Sequence, residues 1–291
     1  MSEIAREIAG QPSAWAEAAR RGAELTDTLP PAGTATCVVG CGTSLYVAQA
    51  YAALREALGQ GPTDAFPASE FPAGRSYAVA IAISRSGTTT EVIRWLASVQ
   101  DGKRIAIVGA EDSPVVKAAD RAIVLGFADE RSVVQTRFAT SALTLLRAHL
   151  GEDLGPVIEA GERALDAPLP IDPSRYRHYV FLGRGWGVGL ANEAALKLRE
   201  AAQMWTESYP AMEFRHGPIS VAGPETVVWA LGPLDPAVLR DAAGTGATVI
   251  GGSADPMVEL IAVQRTAVAL AEMRGLDPDR PRHLTRSVVL S

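Results

Sequence analysis

The 291-residue chain has little of what marks several specialised classes of protein. Its two cysteines, Cys37 and Cys41, are too few for a disulfide framework or for a zinc site of their own. No apolar run approaches the roughly 18 residues that a membrane span needs. The N-terminus has no basic region followed by an apolar stretch, which a secretory signal would have. We therefore expect a soluble cytoplasmic protein.

The chain also has fewer positively than negatively charged residues. Lys and Arg number 27 and Asp and Glu number 33, which gives a net charge of −6. This balance argues against a nucleic-acid partner, because such binding relies on a basic surface. Hydrophobic residues make up 47% and charged residues 21%, which is ordinary for a globular protein and excludes a disordered one. At about 150 residues per domain, the length predicts about two domains.

Apolar, strand-like runs alternate with helical stretches along the chain. An N-terminal helical region, restarted at Pro12, precedes the first of them. The predicted strands are residues 36–39, 77–83, 104–108, 122–125, 179–182, 226–231 and 248–250. The predicted helices between and after them are residues 45–58, 91–99, 133–150, 190–203 and 264–274. This alternation is typical of βαβ units, so the fold class is α/β with parallel sheets flanked by helices.

The second half of the chain repeats the order of elements found in the first half. The period is roughly 145 residues, which is too long for a solenoid repeat. A proline-rich segment, residues 166–173, separates the two series. We therefore predict two similar domains. Residues 1–165 would hold the N-terminal helix and a domain with phosphate-binding loops. Residues 166–291 would hold the second domain and a tail that closes the active site.

The loop after the second predicted strand is rich in hydroxyl groups. Ser84, Ser86 and Thr88–Thr90 lie between a buried strand and a helix N-terminus. Free N–H groups and the helix dipole favour an anion there, and hydroxyl groups add donors. The Lys of a Walker A loop is missing, so a phosphomonoester fits better than a nucleoside triphosphate. An ordinary helix cap has the same composition, so the residues alone leave both interpretations open.

The loop after the first predicted strand is a second candidate. Residues 40–44 contain two glycines followed by Thr43 and Ser44, which can donate hydrogen bonds at the next helix N-terminus. Leu45 stands where a dinucleotide fingerprint has its third glycine, so a Rossmann-type cofactor is not expected. A tight strand–helix turn would also account for these residues.

Candidate acid–base groups lie in the second half. Glu193, Lys197 and Glu200 are spaced i, i+4, i+7, which places them on one face of the predicted helix. A solvated Glu–Lys face would show the same spacing. His216 follows in a loop near Gly217 and Pro218, beside more aromatic residues than the chain average. A lone loop histidine is usually a surface residue, so this assignment also stays open.

Taken together, the motifs resemble those of tandem sugar isomerase (SIS) domain proteins, specifically the isomerase half of glucosamine-6-phosphate synthase and its stand-alone relatives. The similar segments are residues 41–44, 84–89, 135–137, 181–185, 193–200, 213–218 and 277–284. They follow one another in order over almost the whole chain, so the joint match is specific.

The resemblance implies a fold of two flavodoxin-like SIS domains. It implies that the sugar phosphate is held by Thr43, Ser44, Ser84, Arg85, Ser86 and Thr89. It further implies that Glu200 is the base that moves a proton between C1 and C2, and that Lys197, Glu193 and Gln135 line the same site. His216 would open the sugar ring from the neighbouring subunit, which makes a homodimer the expected assembly. Neither a cofactor nor a metal is expected.

The chain also departs from the synthase pattern. No segment resembles a glutaminase domain, so glutamine hydrolysis is not expected. In the tail, His283 and Arg286 replace an Asn and a Lys. Arg stays protonated, so Schiff-base chemistry is not expected at Arg286, which is instead predicted to bind substrate. His283 would add an acid or base, and Arg85 replaces a Gln and would be a charged donor to the phosphate.

Three functions follow from these residues. The first is an isomerase or deaminase of an amino-hexose 6-phosphate such as glucosamine 6-phosphate. The second is a dehydratase that expels the C3 hydroxyl of N-acetylglucosamine 6-phosphate after the same proton abstraction. The third is a sugar-phosphate sensor without catalysis. In each case the expected partner is a phosphorylated sugar.

Overall fold

The computed structural model describes residues 1–25, 27–252 and 254–290, and within them the chain forms two parallel β-sheets flanked by helices. The first sheet has five strands in the order β2-β1-β3-β4-β5, the order of flavodoxin-like folds. Its strands are β1 (Thr36–Gly40), β2 (Thr63–Pro67), β3 (Val79–Ser84), β4 (Lys103–Val108) and β5 (Arg121–Val124). The predicted α/β class is confirmed.

The second sheet has four described strands in the order β7-β6-β8-β9. They are β6 (His178–Gly183), β7 (Thr206–Pro210), β8 (Thr226–Leu231) and β9 (Thr248–Gly251). Every pairing in both sheets is parallel. In each sheet the first strand lies between the second and the third. The two sheets therefore share one strand order, although the predicted domain boundary at residues 165/166 stays a prediction.

Ten α-helices connect and cover the strands within the described residues. They are α1 (Glu3–Ala9), α2 (Gln11–Glu24), α3 (Thr43–Ala57), α4 (Thr90–Ser98), α5 (Pro114–Ala118), α6 (Arg137–His149), α7 (Gly155–Asp166), α8 (Gly187–Ala202), α9 (Pro236–Gly244) and α10 (Pro256–Met273). No helix among them is long and apolar enough to cross a membrane.

One hydrophobic core joins the two sheets. Val38 and Ile81 of the first sheet and Phe181 and Trp229 of the second belong to the same cluster of buried side chains. Helices α3, α6, α8 and α10 contribute to it. The opposite faces of the two sheets are covered by smaller, separate clusters. The helices between the sheets are therefore held from both sides.

Helices α3 and α8 approach each other closely at Gly189. A Cβ atom on Gly189 would lie 2.5 Å from the carbonyl oxygen of Tyr46 and 2.8 Å from the amide nitrogen of Ala50. Both distances are shorter than a side chain tolerates, so glycine is required for this packing. Since α3 follows β1 and α8 follows β6, the contact brings together the helices that follow the first strand of each sheet.

The differences from the predicted elements have local causes. The short strands β2 and β7 were not predicted. Both lie at sheet edges and end in proline, which the sequence pattern of a buried strand lacks. Helices α5, α7 and α9 were also not predicted, and α10 begins eight residues earlier than expected. The helix predicted over 133–150 begins only at Arg137, because residues 130–136 form a loop.

Candidate functional site

The residues predicted to form the acid–base group meet around the ammonium group of Lys197. Its Nζ atom lies 2.7 Å from Oε2 of Glu200 and 3.3 Å from Oε1 of Glu193. It also donates to the hydroxyl of Thr43 at 2.9 Å and to the carbonyl of Gln135 at 3.0 Å. The helical spacing therefore orients one face of α8 toward α3, and this face is a buried cluster rather than a solvated surface.

The two carboxylates of this cluster differ in their surroundings. The side chain of Glu193 is 1% exposed, whereas that of Glu200 is 19% exposed. Burial raises the pKa of Glu193 to about 7, against the opposing effect of the Lys197 charge. Burial would lower the pKa of Lys197, but Glu193 and Glu200 together raise it. Lys197 therefore stays charged, and of the two carboxylates Glu200 has the greater access to a ligand.

The hydroxyl-rich loops surround a small cavity of about 30 Å³ at the carboxyl end of the first sheet. Its lining includes seven residues predicted to bind substrate, namely Ser44, Ser84, Arg85, Ser86, Thr89, Gln135 and Arg286. Thr89 precedes the first residue of α4 and its side chain caps no backbone group of the helix. Its hydroxyl group is therefore available to a ligand at a helix N-terminus, as anion binding requires.

The cavity and the acid–base cluster are adjacent. Ser44 lines the cavity, while its neighbour Thr43 contacts Lys197. Gln135 lines the cavity as well, and its backbone carbonyl accepts a hydrogen bond from Lys197. Two neighbouring residues of α3 and one residue of the 130–136 loop thus connect the two parts.

Arg85 lines the cavity, and its guanidinium makes several contacts inside the protein. Its guanidinium donates to the carbonyls of Ser132 at 2.8 Å and Val133 at 3.1 Å, and Nη1 lies 3.7 Å from the carboxylate of Glu130. The side chain is 1% exposed, and burial lowers its pKa. A third N–H bond goes to the carbonyl of Arg286, so Arg85 supports the loop from inside, and its role as a charged donor to a phosphate stays a prediction.

The C-terminal tail lies against the phosphate loop. The Arg286 guanidinium pairs with the carboxylate of Asp129 at 2.6 Å, and its backbone carbonyl accepts from Arg85 at 3.3 Å. Thr88 donates to the hydroxyl of Ser287, and the amide of Thr90 donates to the carbonyl of residue 288. The tail therefore covers the N-terminus of α4, close to where the sequence predicts phosphate binding.

The two predicted catalytic histidines are not part of this cluster in the single chain. His216 is exposed in a short 3₁₀ helix, residues 213–216, after β7. His283 is exposed in the tail and has a positive φ of 65°. Among the described residues, no hydrogen bond or ion pair joins either histidine to Glu200.

Sequence reasoning missed two carboxylates that matter for the site. Asp129 holds Arg286, and Glu130 lies beside Arg85. Both precede α6 in a loop that the sequence pattern assigned partly to a helix. The sequence shows only that two acidic residues precede a predicted helix by a few positions. This pattern does not identify a partner far away in the chain.

A second, larger cavity of about 800 Å³ lies between α4 and the segment that connects β2 to β3. Cys37, Ala80 and Trp95 are among its lining residues, and none of the predicted site residues lines it. In the described part of the chain, no group of three or more His, Cys, Asp or Glu residues is arranged to hold a metal ion.

This geometry agrees with the comparisons to known proteins. Residues 35–150, which contain all five strands of the first sheet, match the family model of the SIS domain. The chain is 30% identical to the glutamine–fructose-6-phosphate aminotransferase (isomerizing) of Methanothermobacter thermautotrophicus over 98% of its own length and 57% of that protein. It therefore spans little more than half the length of the curated relatives it matches.

Two solved structures are similar over nearly the whole chain. The glucosamine-6-phosphate deaminase of Thermotoga maritima superposes with a TM-score of 0.84 at 25% identity and covers 99% of this chain and 100% of its own. The C-terminal domain of the glucosamine-fructose-6-phosphate aminotransferase of Francisella tularensis has a TM-score of 0.78 at 21% identity and covers 97% and 98%. The chain thus contains a SIS domain and is homologous to the isomerase half of the aminotransferase.

Proposed function

We propose that this protein is a sugar-phosphate enzyme that removes the C2 proton of an open-chain amino-hexose 6-phosphate, of the glucosamine 6-phosphate type. One observation carries the proposal: Thr43, next to the cavity residue Ser44, and Gln135 join the Lys197–Glu200 pair to the hydroxyl-lined cavity at the N-terminus of α4. A phosphate group and a reacting carbon of the same small sugar can occupy these two places. The similarity to a glucosamine-6-phosphate deaminase supports this substrate class.

In the proposed mechanism, the phosphate is held by the hydroxyl groups of Ser84, Ser86 and Thr89. Binding energy from this end positions the reacting end of the sugar. Glu200 takes the proton from C2, and the electron pair of the broken C–H bond forms the double bond to C1, whose oxygen gains a proton. Lys197 holds Glu200 in place through its 2.7 Å contact.

Return of a proton to C1 completes the isomerisation. With a free 2-amino group, this transfer leaves an imine at C2, and water hydrolyses that imine to a ketone and ammonia. With an N-acyl group, the nitrogen leaves poorly, and the same intermediate can expel the C3 hydroxyl. The second candidate function is therefore a dehydratase acting on N-acetylglucosamine 6-phosphate. Arg286, which lines the cavity and is not a nucleophile, is compatible with this function as with the first.

The proposed assembly is a homodimer in which His216 serves the active site of the other subunit and opens the sugar ring. The exposure of His216 supports this, as do large exposed apolar side chains nearby in sequence. Trp205 is 80% exposed, Val221 61% and Met212 50%. Exposed apolar residues that form one patch are typical of an interaction surface. The proposed location is the cytoplasm.

The decisive experiment supplies glucosamine 6-phosphate, N-acetylglucosamine 6-phosphate and fructose 6-phosphate in turn and follows ammonia, ketose and ultraviolet absorbance. Ammonia with ketose from the first sugar supports the deaminase. Absorbance without ammonia from the second supports the dehydratase instead. Binding of the sugars without any turnover would overturn both and leave the non-catalytic sensor.

A further inference from the structure

The loop of residues 129–136 contacts every part of the candidate site. The carbonyls of Ser132 and Val133 accept from Arg85 of the phosphate loop, and the carbonyl of Gln135 accepts from Lys197. The carboxylate of Asp129 holds Arg286 of the tail. The distance between the phosphate end and the proton-transfer end of the site therefore depends on how this one loop is folded.

Glu130 fixes the fold of this loop. One of its carboxylate oxygens, Oε1, accepts three hydrogen bonds of 2.7 Å, from the amide and the hydroxyl of Thr136 and from the amide of Arg137. These bonds close the loop onto the N-terminus of α6. The side chain is 0% exposed, so water cannot replace any of these contacts.

The other carboxylate oxygen of Glu130 faces the phosphate loop. Oε2 lies 3.7 Å from Nη1 of Arg85 and has no hydrogen-bond partner among the described residues. A buried guanidinium and a buried carboxylate must balance each other, because an isolated charge in the interior is costly. Glu130 therefore holds the loop before α6 and the phosphate loop in a fixed relation.

We propose that Glu130 is a positioning residue that sets the spacing between the phosphate-binding loop and the Lys197–Glu200 pair. It touches neither the cavity nor the acid–base cluster, and it acts through Arg85 on one side and through Gln135 on the other. This inference rests on the proposed function, since spacing matters only if one ligand contacts both ends. A displacement of the order of 1 Å in such a site lowers the rate by about 100-fold.

The test compares Glu130→Gln with the wild-type enzyme. Gln keeps an acceptor for Thr136 and Arg137, but it places an N–H₂ group toward Arg85 and removes the negative charge that balances Arg85. We expect kcat/KM for the sugar phosphate to fall by about 10- to 100-fold, through a lower kcat together with a higher KM. The inhibition constant of inorganic phosphate, which needs only one end of the site, should stay within about twofold. Glu130→Asp, which keeps the charge, should restore part of kcat.

Asp255→Asn is the matched control. Asp255 also accepts a backbone hydrogen bond at a helix N-terminus and pairs with a buried arginine, Arg147, but outside the site. The Asp255→Asn variant should be less stable than the wild type. It should not show a fall in sugar-phosphate turnover together with an unchanged inhibition constant of phosphate. If Glu130→Gln has wild-type kcat, or loses phosphate binding in proportion to turnover, the positioning role is refuted.

Wild-type turnover is measured first, so failure of the proposed function shows itself before any variant is compared. Titration calorimetry with fructose 6-phosphate and with inorganic phosphate supplies a second measurement that needs no turnover. Glu130→Gln should weaken the sugar phosphate more than the phosphate alone. An equal effect on both ligands would overturn the positioning role whether or not the enzyme turns over.

Discussion

Lys197 donates a 2.9 Å hydrogen bond to the hydroxyl of Thr43, although 154 residues separate them in the sequence. Lys197 lies on α8, which follows the second sheet, and Thr43 begins α3, which follows the first. Two helices at corresponding places in the two halves thus meet at the acid–base cluster. Neither half contains this cluster alone.

Replacing Glu200 by Gln should abolish turnover while leaving ligand binding intact. Gln retains an acceptor for the 2.7 Å contact with Lys197 but cannot take a proton from carbon. We expect kcat to fall by about 10²- to 10⁴-fold. Steady-state kinetics and calorimetry with fructose 6-phosphate would measure the two effects. Glu207→Gln, which alters a carboxylate beside His178 in the second sheet, is the control. Unchanged kcat in Glu200→Gln would exclude Glu200 as the base.

Replacing Thr89 by Val should weaken phosphate binding. The change removes one hydroxyl group from the cavity and keeps the shape of the side chain. A hydrogen bond to a charged group contributes about 1.5–3 kcal/mol, so KM should rise by about 10- to 100-fold with little change in kcat. The control is Ser98→Ala at the other end of α4, where the hydroxyl donates to the carbonyl of Trp95. Equal KM values for the two variants would argue against a phosphate at Thr89.

Stability should depend on pH through Glu193. Its pKa is raised to about 7 from an ordinary 4.5, so between these values the folded protein keeps a proton that the unfolded chain has lost. The free energy of unfolding therefore decreases as the pH rises through this window, by at most about 3 kcal/mol, and levels off above it.

Urea unfolding of the wild type and Glu193→Gln at pH 5 and pH 8 measures this dependence. The variant, which cannot ionise at this position, should lose less stability between the two pH values than the wild type. Glu159→Gln, at an exposed site on α7, should behave like the wild type. Parallel pH curves for the wild type and Glu193→Gln would contradict the raised pKa.

Replacing Gly189 by Ala should push α3 and α8 apart. The added Cβ would meet the carbonyl oxygen of Tyr46 at 2.5 Å, and overpacking of this kind costs about 1–3 kcal/mol. Because these helices carry Thr43 and Lys197, kcat should fall as well. Gly244→Ala on α9 is the control, since nothing lies within 4 Å of its Cβ position. Equal thermal midpoints for the two variants would contradict the close approach.

Much of this site was predictable because its signals are local. The period of an α-helix places Glu193, Lys197 and Glu200 on one face, and a buried strand followed by a hydroxyl-rich loop marks the cavity. The burial of that face was not predictable, because a solvated Glu–Lys surface has the same spacing. Only the packing of α8 on α3, made possible by Gly189, decides between the two.

The role of Arg85 shows where local reasoning ends. Its position in the loop predicts a charged donor to the phosphate, and it does not reveal that the guanidinium lies buried beside Glu130, 45 positions further along. Helical period and turn composition describe neighbours in sequence and carry no information on such a distant pairing. The edge strands β2 and β7 were missed for a simpler reason: they are short and each ends in proline.

The core shared by the two sheets has a consequence for how the protein unfolds. A fragment that ended between the halves would expose the inner faces of helices that are now covered from both sides. We expect a single calorimetric transition for the intact chain and no independently folded half. Catalytic activity and the folded structure of both halves would then be lost at the same temperature.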